Sequence, residues 1–112
     1  LDPETAQQAD DAAHQAVSVL LRSLPGLKRL LGQVGSETHD GFTHRGKLRS
    51  RRDVMQTLVQ HTWVLLRDLH LNAMNAGGSD GRLRSRRLES LQKELQGAQA
   101  LFEEVCEEVD KA

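Results

Sequence analysis

Residues 88–109 read LESLQKELQGAQALFEEVCEEV. The apolar positions are Leu88, Leu91, Leu95, Ala98, Phe102, Val105 and Val109, so the steps alternate three and four through three heptads. A strand would need apolar residues at every second position, whereas this spacing puts one stripe along an α-helix in coiled-coil rhythm. A stripe that long needs a partner surface of the same kind, and the rest of the chain supplies two. Apolar residues at Ala6, Ala9, Ala13, Val17, Leu20, Leu24, Leu27, Leu31 and Val34 again step by three or four. Met55, Leu58, Thr62, Leu65 and Leu69 form a third stripe, and no stretch alternates long enough to be a strand. The expected fold is all-α, an antiparallel up-down-up three-helix bundle in one domain over residues 1–112.

Helix boundaries follow from local chemistry. Pro3 suits the first helical position, with Asp2 as its cap and Glu4 in the first turn. Pro25-Gly26 interrupts the first stripe, and an interior proline costs about 3 kcal/mol. Because the apolar phase continues past it, the expectation is a kink or a short break. Residues 35–47 contain Gly35, Gly41 and Gly46 among polar residues and read as a long loop. Ser50-x-x-Asp53 resembles a capping box, which starts the second helix near Ser50 and runs it to about Asn75. The third starts near Arg82 or Ser85 and carries Gly97 as a weak point. Helices of roughly 25–30 residues would be about 40–45 Å long.

Composition narrows function. Charged residues are 28% of the 112, and the net charge is −1, so the whole-molecule field draws in neither nucleic acid nor membrane. Aromatics are 3% (Phe42, Trp63 and Phe102), too few for a base-stacking platform. The single cysteine, Cys106, excludes an internal disulfide and suits a reducing, cytoplasmic setting; beside Val105 it reads as a small buried residue. No apolar run approaches the roughly 20 residues of a transmembrane helix. With no Met at its start and no signal-peptide pattern, the chain reads as one domain of a larger cytoplasmic protein.

GKLRSRR at residues 46–52 and GRLRSRR at residues 81–87 are nearly the same basic box. The first, with Arg45, Lys47, Arg49, Arg51 and Arg52, opens the second helix; the other, with Arg82, Arg84, Arg86 and Arg87, opens the third. An up-down-up order sets them at opposite ends, each beside acids: Asp2, Glu4, Asp10 and Asp11 for the second box, and Glu103, Glu104, Glu107, Glu108 and Asp110 for the first. The leading reading is internal charge pairing that fixes register. Cations at helix starts oppose the macrodipole, which keeps two others open: docking of an acidic protein segment, and phosphate of an anionic lipid or nucleic acid. Arginine three residues before Ser85 and Ser90 also makes a loose basophilic-kinase pattern.

His39, His44 and Asp40 fall in the loop without the spacing of a zinc site. His61 and His70 share one broad face of the second helix but stand over two turns apart. No nucleophile motif, phosphate loop or facing carboxylate pair appears, so neither a catalytic residue, a metal nor a cofactor is expected. Hydrophobicity, however, exceeds what the stripes need. The second helix has a second stripe of Val59, Trp63, Leu66 and His70, then Val64 and Leu71 on a third side; Leu21 and Leu30 lie beside the main stripe of the first. Either the centre of the bundle is buried all round, or these residues line an apolar groove between the first two helices for a partner helix or a second copy. The expected function is a non-catalytic protein-interaction module of a scaffold or cytoskeleton-associated protein, through Val64, Leu71, Leu21, Leu30 and Trp63. The alternative is a phosphate-binding helical module built on the two arginine boxes.

Overall fold

A computed structural model describes residues 3–34 and 41–112, with side chains at all of these except positions 3, 41–43, 76, 79 and 80. It contains three helices, α1 (Pro3–Val34), α2 (Gly41–Ala76) and α3 (Gly78–Lys111), and no strand among the described residues. Each helix packs on both others, as in a helical bundle. The particle measures 61 × 20 × 17 Å, longer than the sequence implies because the helices reach 32, 36 and 34 residues. Asp2, His39 and Asp40 lie outside the described residues, as does the Phe42 side chain.

The α3 stripe is the spine of the core. Leu88, Leu91, Leu95, Ala98, Phe102, Val105 and Val109 are all buried, with Leu91 at 0% and Phe102 at 1% exposure. From α1 come Ala6, Ala13, Val17, Leu20, Leu24, Leu27 and Val34, while Ala9 and Leu31 pack at the margin. At roughly 1.5–3 kcal/mol per fully buried large apolar side chain, these rows outweigh any local helix preference.

α1 runs unbroken through Pro25. The bond the proline removes would have gone to the carbonyl of Leu21, a residue on the exposed side of α1. Leu24 and Leu27, buried on either side, hold the helix in phase.

α2 departs most from expectation. It begins at Gly41, not near Ser50, and takes in most of the expected loop. Ser50 and Asp53 are therefore interior residues; Asp53 accepts from the Thr57 hydroxyl through its carbonyl and pairs with Arg52 through its carboxylate. Gly46, inside the helix, costs it about 1 kcal/mol. Burial of Leu48, 1% exposed, is worth roughly 1.5–3 kcal/mol and extends the seam one full heptad backward from Met55. The seam also lies between the two stripes seen in the sequence. Leu48, Met55, Val59, Thr62, Leu66, Leu69 and Ala73 are buried, whereas Leu58 and Leu65 are only partly so. Buried Thr62 satisfies its hydroxyl on the Leu58 carbonyl at 2.6 Å. α3 likewise starts early: Gly77 alone separates it from α2, and Gly77 and Gly78 have φ of 66° and 64°.

Candidate functional site

The five apolar candidates do not form one groove. Val64 is 48% exposed and Leu71 is 53% exposed. Val64 stands two residues from both Thr62 and Leu66, and Leu71 two residues from both Leu69 and Ala73, all four of which are buried. Two residues turn a helix by about 200°, so Val64 and Leu71 share the back of α2, directly away from the core. Trp63 turns the other way: its indole Nε1 donates to Gln99 Oε1 on α3 at 2.7 Å, and Gln99 Nε2 donates on to Glu103 at 2.9 Å. Leu30 is partly buried against the core beside Val54, while Leu21 is exposed. Nine residues turn a helix by about 900°, which puts Leu21 and Leu30 on opposite sides of α1. An α1–α2 groove therefore gathers Leu30 but neither Trp63 nor the Val64–Leu71 pair.

The first basic box divides into one seam residue and an exposed set. Arg52 follows Leu48 by four residues and precedes Met55 by three, so it occupies a core-facing position. Its guanidinium donates to Asp110 of α3 at 2.7 Å and to Asp53 at 2.8 Å. The bonds to Asp110, then Asp53, push its pKa upward against a smaller opposing effect of burial. Half-buried Cys106 stands in the same cluster; burial first of all pushes its thiol up, with Arg52 pulling the other way. Arg45, Lys47, Arg49 and Arg51 are exposed on α2.

The second box meets the start of α1. Arg87 reaches Asp10 at 3.4 Å and Arg84 donates to Asn72 Oδ1 at 3.3 Å, while Arg82 and Arg86 are exposed. Among the described residues, Arg52 and Arg87 are thus the members of the two boxes that bond carboxylates, one at each box. A small recess opens here, lined by Ala6, Leu69 and Leu88 together with Gln7, Asp10, Asn72, Arg84 and Arg87.

The remaining candidates separate. His61 is exposed and His70 half-buried, because nine residues carry them to opposite sides of α2 rather than to one face. Buried nitrogens of His44 (Nδ1) and His70 (Nε2) have no hydrogen-bond partner among the described residues. Among those residues no three His, Cys, Asp or Glu side chains gather as a metal would require, and no helix is long and apolar enough to cross a membrane. Ser85 is half-buried and Ser90 exposed. Comparison with family models, curated proteins and solved structures finds no match to this chain.

Sequence reasoning missed two participants. Gly26 and Arg29 of α1 lie against Arg51 of α2, with Arg51 Nη1 at 3.4 Å and Arg29 Nη2 at 3.8 Å from where a Gly26 Cβ would stand. Only the pairing of α1 with α2 brings them together. What the sequence does show is that residues 12–34 and 41–52 contain eight Lys and Arg and no Asp or Glu.

Proposed function

We propose that this domain is a non-catalytic protein-interaction module of a cytoplasmic scaffold, that its helices run up-down-up, and that it binds a partner helix along the back of α2. The helix order is supported by the bonds Arg52–Asp110, Trp63–Gln99 and Arg84–Asn72, which pair α2 with α3 in opposite chain senses, and by Arg87–Asp10 beside the start of α1. The observation that carries the function is the exposure of Val64 and Leu71, two turns apart on a face that the core does not need. A polar residue would serve equally at either position in a self-sufficient bundle. Two apolar side chains at i and i+7 are the anchor spacing with which helices lie along one another.

Replacing both with glutamine tests the reading. The isolated domain should keep its fold, since exposed substitutions usually fall within about 0.5 kcal/mol. Sedimentation, or capture of partner proteins compared with the parent domain, should show weakened association. Unfolding of the double variant by circular dichroism, or unchanged association, would refute this surface.

A further inference from the structure

The α1–α2 pair has an unusual charge distribution along its sequence. Between residues 12–34 and 41–52 the chain places Arg22, Lys28, Arg29, Arg45, Lys47, Arg49, Arg51 and Arg52 without a carboxylate. Arg52 turns to α3 and is neutralised there by Asp110 and Asp53. Arg29 and Arg51, from different helices, instead converge over the backbone of Gly26. Their terminal nitrogens lie 3.8 and 3.4 Å from the same point, the position of the missing Cβ. Among the described residues no carboxylate pairs with either; Glu37 and Asp40 lie outside them. A neighbouring recess shares Leu30 and Arg51 with the one at Gly26 and is bordered by Lys47, Ser50 and Val54, the last 67% exposed.

Two guanidinium groups side by side repel, and an anion between them removes that cost. Geometry selects the anion. A carboxylate carries a single charge, which leaves a pair of guanidinium groups half neutralised. A phosphate monoester has three terminal oxygens and close to two charges at neutral pH, so it can accept from two forks and still face an ammonium. The bare backbone of Gly26 leaves room above the helix, which a side chain would narrow at Arg51. We infer that Arg29 and Arg51, seated over Gly26 with Lys47 alongside, form a binding site for a phosphate monoester group. The site stands apart from the Val64–Leu71 face and does not depend on it.

The test follows arginine side-chain and backbone NMR signals of the whole domain at low ionic strength during titration with inorganic phosphate. In parallel, vesicles of phosphatidylcholine, with or without phosphatidic acid, are assayed by co-sedimentation. Shifts centred on Gly26, Arg29 and Arg51, absent at Arg82 and Arg86, are the expected result. Losing a charge-assisted hydrogen bond at each position should weaken phosphate binding about tenfold or more in R29Q/R51Q, while V64Q/L71Q leaves it unchanged. Vesicle binding that requires phosphatidic acid and is lost in R29Q/R51Q makes the source a lipid headgroup; phosphate shifts without vesicle binding make it a soluble monoester. Equal shifts at Arg82 and Arg86, shifts that persist in R29Q/R51Q, or none at all would overturn the assignment. Circular dichroism of R29Q/R51Q should match the parent, since both arginines are exposed.

Discussion

Phe102 and Leu101 are adjacent in the chain but face opposite environments: Phe102 is 1% exposed and Leu101 is 46% exposed. Truncating each to alanine measures how firmly α3 is turned toward the core. For Phe102, removing the buried ring forfeits about 1.5–3 kcal/mol of transfer free energy. The space left in the core collapses only in part, which raises the total to about 3–5 kcal/mol. That is a large share of the roughly 5–15 kcal/mol available to a domain of this size. At about 4 °C per kcal/mol, the thermal midpoint should fall by roughly 12–20 °C. Leu101→Ala removes a side chain still half in water and should cost about 1 kcal/mol or less. Circular dichroism melts and urea titrations of both variants give the comparison. Equal losses, or an unchanged midpoint in Phe102→Ala, would mean that the heptad phase of α3 is misassigned, and with it the core.

Other expectations are smaller and equally specific. Gly46→Ala should stabilise the domain by about 1 kcal/mol, because the residue is helical and nothing lies within 4 Å of the added Cβ; no gain in a urea titration would return residues 41–50 to a loop. A double-mutant cycle on Arg52 and Asp110 should give a coupling of about 0–1 kcal/mol that shrinks with salt, since Asp110 is 69% exposed; a coupling of several kcal/mol would mean a dry, buried pair. Burial holds the Cys106 thiol above its ordinary pKa, so the folded state keeps that proton longer than the unfolded chain does. Its contribution to stability is complete below the ordinary thiol range and is lost as pH rises through the folded value. Alkylation followed against pH should accordingly have a midpoint above that of an unstructured cysteine, and a midpoint at or below it would contradict the burial.

How far the sequence is legible varies with the helix. Along α3 every expected core position is buried, because its polar residues leave a single stripe and hence a single phase. α2 offers two adjacent stripes, and periodicity alone cannot say where between them the neighbours will sit. The structure takes Met55, Thr62 and Leu69 from one and Val59 and Leu66 from the other. The start of α2 was hidden for a different reason. Gly41 and Gly46 signal a loop locally, and the residue that overrides them, Leu48, is an isolated leucine between Lys47 and Arg49 whose burial depends on tertiary contacts. Internal charge pairing was legible from the order of acids and bases, and Arg52–Asp110 and Arg87–Asp10 match it. The meeting of Arg29 with Arg51 was not, since it requires knowing which faces of α1 and α2 adjoin.

The turn at Gly77-Gly78 decides more than the path of one chain. Both glycines have positive φ and stand between helices of 36 and 34 residues, where the proposed up-down-up order puts the reversal of the chain. A side chain at either position costs about 1–2 kcal/mol in that left-handed geometry, whereas a continuous helix through residues 41–111 would relieve the strain. Straightened in that way, α2 could no longer fold back on its own α3, and the apolar row of α3 would have to be covered by the helices of another molecule. On that order, a side chain at Gly77 or Gly78 would favour an exchanged pair of chains over a bundle closed within one chain.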